Sequence, residues 1–138
     1  MSWVTFTDPE VATFGLQEKQ LEKKNKSFEK LVMNFGDDDR AVVDNYQYGR
    51  LVLYISKGGL FSEQKVLGGS MIAPGAGELI QELILANSAG ISVNSIFNKI
   101  YPYPVASRVN QMIIVKHKEK ILTSGLKKLL QFIYRILN

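Results

Sequence analysis

A chain of 138 residues that is 46% hydrophobic and 22% charged has the composition of one globular domain with a real core. It holds no cysteine, which removes disulfide scaffolding, thiolate-ligated zinc, iron–sulfur ligation and thiol nucleophiles. The net charge of +4 is uneven: beyond Met112, Lys116, Lys118, Lys120, Lys127, Lys128 and Arg135 oppose Glu119 alone, so the remainder sums to about minus one.

The run "WVTFTD", Trp3 to Asp8, is β-rich and stopped by Pro9. It begins directly after Met1-Ser2, as expected of a domain excised from a longer chain. With neither a basic leader nor any window near the roughly 20 apolar residues of a spanning helix, a soluble, cytoplasmic location is the expectation. "QEKQLEKKNK", Gln17 to Lys26, predicts a short exposed helix and a polar loop with solvated lysines. "FEKLVMNF" places Phe28, Leu31, Met33 and Phe35 in an imperfect alternation that predicts a strand.

"GDDDRAVVDN" follows, and an aspartate is expected to cap a one-turn helix over Asp38 to Val43. Three adjacent carboxylates invite a divalent cation, but consecutive residues point different ways and no EF-hand spacing follows, so capping is preferred. "YGRLVLYIS", Tyr48 to Ser56, and "KVLGGSMIA", Lys65 to Ala73, predict an antiparallel hairpin with a long connection containing Gly58-Gly59. Gly68-Gly69 within the second run implies a close backbone approach or a bulge.

In "PGAGELIQELILANSAG", Pro74 ends the strand, Leu79, Ile80, Leu83, Ile84 and Ala86 form a helical stripe, and Gly90 stops the helix. Gly75 and Gly77 ahead of a helix suggest an anion cradle. The third glycine of a dinucleotide turn, the P-loop Lys-Ser/Thr pair and a parallel βαβ context are all missing, so nucleotide binding is not expected here. "SVNSIFNKI" predicts a second short helix capped by Ser92 or Asn94.

"YPYPVASR", Tyr101 to Arg108, has two X-Pro steps that fix an extended entry into a helix, yet it contains no histidine or carboxylate. The following helix has Val105, Val109, Met112 and Ile113 as apolar positions. His117, the only histidine, sits among lysines that disfavour a bound cation, so a solvated surface position and no metal site are expected. After a break at Thr123-Ser124-Gly125, Leu126, Leu129, Ile133 and Ile136 face one way and Lys127, Lys128, Gln131 and Arg135 the other, a basic amphipathic helix of about three turns. The order strand, helix, strand, hairpin, helices predicts an α+β fold, an antiparallel sheet with helices packed mainly on one face.

Taken together and in order, "VTFTDPEVATFGL", "DRAVVDN", "GRLVLYI", "VLGGSMIAPGAGELIQELILA" and "IYPYPVASRVN" resemble the C-terminal dimerisation domain of pyridine nucleotide-disulfide oxidoreductases. That class includes dihydrolipoamide dehydrogenase, glutathione reductase and mercuric reductase. The resemblance covers roughly Val4 to Gln111, which divides the chain into a dimerisation domain over 1–111 and a basic helical extension over 112–138. It implies an FAD- and NAD(P)H-dependent parent whose FAD domain, NAD(P) domain and redox cysteine pair lie upstream of this segment. The segment itself is then expected to bind no cofactor, to catalyse nothing alone, and to mediate homodimer association.

In the family, a His-Pro-Thr loop reaches the flavin and disulfide of the other subunit, and a glutamate a few residues on keeps the histidine basic. Laid on this sequence, the histidine becomes Tyr103, the proline Pro104, the threonine Val105 and the glutamate Arg108. Tyr103 and Arg108 are therefore the candidate catalytic positions, both substituted. A tyrosine, with an ordinary pKa near 10, is a poor base at pH 7 but a good hydrogen-bonding group. Mercuric reductase resembles this chain in having tyrosine there, so a mercuric-reductase-like parent is expected. Arg108 either holds an adjacent phenolate or anion, or pairs with a carboxylate while Tyr103 fills the interface.

The dimer interface is expected at Leu79, Ile80, Leu83 and Ile84 and at Tyr101, Pro102, Pro104 and Val105. The alternative is a stand-alone interaction module that uses its basic tail on a membrane surface or an acidic partner. Nucleic acid is not an expected partner, because aromatic residues are not interleaved with the basic ones.

Overall fold

The computed structural model describes residues 1–58 and 63–137, with the side chains of 121–132, 136 and 137 outside the description. Five strands, β1 (Ser2–Thr5), β2 (Glu10–Gly15), β3 (Phe28–Asn34), β4 (Arg50–Ser56) and β5 (Val66–Ala73), form one sheet in the order β1-β2-β5-β4-β3. Every neighbouring pair is antiparallel. β2 is absent from the sequence expectation, which took Pro9 as the end of strand structure. Pro9 instead stands where the chain reverses, and β2 pairs with β1 on one side and β5 on the other.

Alternation along each strand sorts the residues onto two faces. The register aligns Ala12, Met71, Leu51 and Met33 in one row and Phe14, Gly69, Leu53 and Leu31 in the next. All of these are buried. The opposite rows, Thr13–Ser70–Val52–Val32 and Val11–Ile72–Arg50–Asn34, are largely open, with Val32 41% and Ile72 36% exposed. Burial of a Leu, Ile, Phe or Met side chain contributes about 1.5–3 kcal/mol, so the first face is where the fold is stabilised.

The glycine pair in β5 makes the centre of that face possible. A Cβ on Gly69 would lie 2.5 Å from the Val52 carbonyl oxygen and 3.1 Å from the Phe14 ring; one on Gly68 would lie 2.2 Å from the Leu16 carbonyl oxygen. Both sequence expectations are met, since the β4–β5 register also shifts between Tyr54 and Ile55.

Among the described residues six α-helices occur, two of them between strands and four after β5: α1 (Glu18–Lys23), α2 (Asp39–Val43), α3 (Ala76–Leu79), α4 (Gln81–Ala89), α5 (Val93–Asn98) and α6 (Val109–Leu137). Asp38 caps α2 by accepting from the Ala41 amide at 3.0 Å, and Ser92, not Asn94, caps α5. The helix expected from Pro74 to Gly90 is two pieces, interrupted at Ile80. Gly90 ends the second in the left-handed conformation, where glycine carries no Cβ penalty.

Three further expectations are corrected. Val105 is extended and precedes a 3₁₀ turn at Ala106–Arg108, so α6 starts only at Val109. The helix is continuous through Thr123-Ser124-Gly125; an interior glycine costs about 1 kcal/mol, which flanking leucines and lysines of high propensity offset. The 111/112 division falls inside this helix. Of the apolar positions expected on its distal face, Ile133 is 42% exposed, while the side chains of Leu126, Leu129 and Ile136 lie outside the described residues. The His117 side chain is only 9% exposed, because α6 lies against β3 and His117 faces the cleft lined by Leu31 and Ile113; its Nε2 is 3.6 Å from Glu29 Oε2. Among the described residues no helix is long and apolar enough to cross a membrane.

Candidate functional site

The segment from Lys99 to Arg108 leaves α5, runs extended, and turns into α6. Two proline steps remove amide donors and hold the chain out of helix. Its own backbone bonds are few: Val105 N donates to the Pro102 carbonyl at 3.3 Å and Arg108 N to the Val105 carbonyl at 3.2 Å. Side chains from other elements supply the rest. Gln111 Nε2, one turn into α6, donates to the carbonyls of Phe97 at 2.8 Å and Lys99 at 2.9 Å, fixing where α5 ends.

The inner side of the segment closes on Glu82 of α4. Tyr101 donates its hydroxyl to Glu82 Oε2, and Lys99 Nζ donates to Oε1. Asn110 Nδ2 donates to Oε2 at 3.2 Å and to the Leu79 carbonyl at 2.8 Å. Lys99 Nζ also lies 4.3 Å from the Tyr101 ring centroid. Burial, then the hydrogen bond to Glu82 and its charge, push the Tyr101 phenol far above its ordinary range. Tyr101 is thus a locked structural donor.

Two residues on, the outer side is built differently. Tyr103 is 69% exposed and donates its hydroxyl to Asp39 Oδ2 at 3.0 Å. The hydrogen bond to Asp39 and the Asp39 charge raise the phenol's pKa, and Arg108 opposes them. The Arg108 guanidinium carbon lies 5.9 Å from the Tyr103 ring centroid, and among the described residues Arg108 is in no ion pair. Arg40, itself paired with Asp44, donates from Nη1 to the Pro104 carbonyl at 3.5 Å. The two substituted positions, Tyr103 and Arg108, lie side by side in the fold, while Asp39, Arg40, Glu82 and Asn110 were missed by the sequence reading. Nothing in their local sequence marks them, because their contacts with the segment and with Leu79 span 17 to 64 positions of the chain.

The three aspartates take three separate partners. Asp37 pairs with Lys116 at 3.4 Å, Asp38 caps α2, and Asp39 accepts from Tyr103. Ile80 and Leu83, expected on a mating surface, are 1% and 0% exposed and pack into the core, so they have no surface left to present. Leu79 and Ile84 are half-buried against the same core. The large apolar residue of α4 that does face outward is Leu85, 58% exposed. It lines an apolar cleft of about 310 Å³ between α4 and α5 with Ala86, Ile91 and Ile96, closed at one end by the Glu82–Lys99 pair.

The residues at Gly75 to Glu78 do not fit a dinucleotide phosphate. The Gly77 amide already donates to Glu10 Oε2 at 3.2 Å, and a Cβ at Gly77 would meet Val4 at 2.8 Å, so this glycine serves contact with β1. A carboxylate occupies the position where a phosphate would need donors.

Comparison with known proteins places these features in context. The family model for the pyridine nucleotide-disulphide oxidoreductase dimerisation domain matches residues 1–113. Dihydrolipoyl dehydrogenase of Buchnera aphidicola is 33% identical over 104 residues, covering 75% of this chain and 21% of that protein. Mercuric reductase of Staphylococcus aureus is 29% identical over 100 residues, covering 72% of this chain and 18% of that protein. In fold, the chain is similar to the HOCl-induced flavoprotein disulfide reductase RclA of Escherichia coli, with a TM-score of 0.75 and 19% identity over 83% of this chain and 26% of that one.

Proposed function

This chain belongs to the pyridine nucleotide-disulphide oxidoreductase dimerisation-domain family, and we propose that it pairs with a second copy of itself through the face carrying Ile100 to Val105 and the α4–α5 cleft. The chain spans about a fifth of the length of the curated relatives it matches. FAD and NAD(P)H belong, in this reading, to the remainder of a longer flavoenzyme and supply its electron transfer; the residues of this segment contribute subunit contact.

The observation that carries the reading is the apolar surface beside the loop. Leu85, 58% exposed, lines a mainly apolar cleft that ends at Lys99; Ile100, the next residue, is 91% exposed, and Tyr103, further along the loop, 69%. Exposed apolar groups gathered around a concavity are the usual mark of a protein interface. A stable homodimer buries on the order of 1,600 Å² or more, so the loop and cleft need the neighbouring α4 and α5 surface as well. The open face of the sheet, with Trp3, Val32, Val52 and Ile72, suits contact with the rest of the parent chain.

The chemistry of the loop follows from Tyr103. A phenol whose proton is engaged by a carboxylate is no general base at neutral pH, so the parent's exchange chemistry is read as one that does not draw a base from this loop. Light scattering on the chain tests the association. A dimer is expected at micromolar concentration, and Leu85→Glu with Ile100→Glu should give a folded monomer. A wild-type chain that remains monomeric at high concentration would overturn the reading.

A further inference from the structure

We propose that the distal part of α6, from Ile121 to Leu137, is an interfacial helix that lies on an anionic lipid surface, its apolar half in the bilayer boundary and its cations against the headgroups. This surface is separate from the loop and cleft assigned to subunit contact.

The first turns of α6 seat it on its own domain. Lys116 pairs with Asp37 at 3.4 Å, and Lys118 donates to Asn94 Oδ1 at 2.6 Å while lying 4.5 Å from the Phe97 ring centroid. The backbone then continues as helix to Leu137. At 1.5 Å per residue, this adds about 28 Å of helix past Lys118. The added length lies beyond residue 113, where the match to the dimerisation-domain family ends.

Helical geometry sorts this stretch sharply. At 100° per residue, every Leu, Ile and Phe from Ile121 to Leu137 falls in one half of the circumference, centred near Leu122, Leu129 and Ile133, and Lys127, Lys128 and Arg135 fall in the other. An apolar band that fills half the circumference is wider than the seam by which two helices pair, and it suits a planar boundary. Where side chains are described, the stretch is open: Ile133 is 42% and Tyr134 71% exposed.

Charge selects the occupant. From Ile121 to Asn138 the chain carries two lysines and an arginine and no aspartate or glutamate. Helices that face solvent or pair with one another ordinarily mix both signs, whereas one lying on anionic headgroups gains from cations alone. Among the described residues no helix is long and apolar enough to cross a membrane, so the contact runs along the surface.

Flotation of the full chain with lipid vesicles tests the proposal. The chain should rise with vesicles that contain phosphatidylglycerol, stay behind with phosphatidylcholine alone, and be released by salt. Lys127→Gln with Lys128→Gln should weaken binding about 25-fold, each lysine near an anionic surface contributing about fivefold. Leu129→Gln with Ile133→Gln should abolish flotation while leaving the thermal melt of the domain unchanged. A chain left behind by anionic vesicles at low salt would overturn the proposal, and so would equal flotation with neutral ones. An assembly larger than a dimer in lipid-free solution, dissolved by Leu129→Gln with Ile133→Gln, would give the apolar half to a helix partner and sink the lipid assignment. A monomer that floats with anionic vesicles upholds the lipid contact and removes only the subunit reading; a dimer that does not float does the reverse.

Discussion

The two faces of the sheet carry similar residue types and have opposite fates. Leu53 and Val52 are neighbours on β4; Leu53 is fully buried under the helices, while Val52 is half-buried in a row that ends in exposed Val32. Hydrophobicity does not separate them, since both are good strand formers with apolar side chains. What separates them is whether this chain supplies a covering layer. α3, α4, α5 and the first turns of α6 close one face, and among the described residues no helix closes the other. The described residues are thus stabilised on one side of the sheet only.

The most damaging way to challenge that contrast is Leu53→Ala. It should cost about 2–5 kcal/mol in urea unfolding, because it leaves a cavity opposite Gly69 where no side chain can move in. A cost below about 1 kcal/mol would mean that the covered face is loosely packed.

Next in size is Asn110→Ala, which removes the fully buried amide that ties α6 to the Leu79 carbonyl and to Glu82. A loss of about 1–3 kcal/mol is expected from leaving those acceptors unsatisfied. Equal stability would show that the helical layer does not depend on this polar tie.

Alkaline pH sharpens the comparison further. The folded Tyr101 phenol is held protonated by burial and by Glu82, so its pKa lies above that of the unfolded chain. The folded state then binds more protons once pH passes the unfolded value near 10. The corresponding stability is complete below that pH and is lost as pH rises beyond it. Tyr101→Phe should flatten this decline, as followed by thermal melts from pH 8 to 11; a parallel decline in both chains would reject Tyr101 as its source.

The smallest effect belongs to the open face. Val32→Thr, at a 41% exposed strand position, should leave stability within about 0.5 kcal/mol. A large loss there would show that the second face is closed within this chain after all.

Much of this architecture was legible beforehand, and the physical reasons for success and failure differ by residue. The hairpin, the glycine pair and an aspartate cap on α2 are local events written in adjacent residues and read correctly, although α2 starts one residue later than expected and only Ser92 of the two residues offered caps α5. β2 was hidden by Pro9, because a proline that ends one strand and a proline that sits in the reversal before the next look the same in sequence. Helical periodicity finds the apolar stripe of α3 and α4, yet it cannot say whether Ile80 and Leu83 face a partner or their own sheet, and both are buried in the core. His117 was misplaced for the same reason, since a lysine-rich neighbourhood does not reveal that the intervening helical position faces β3. The Tyr103 and Arg108 pairing came from resemblance, and Asp39 came only from the fold.

The run Asp37-Asp38-Asp39 joins three parts of the molecule through three consecutive carboxylates, one tethered to α6, one starting α2 and one gripping the proline loop. Its spacing is therefore as consequential as its chemistry. Adding or deleting a single residue at this point would put all three attachments out of phase together. Engineers grafting new segments onto this scaffold should leave this run untouched.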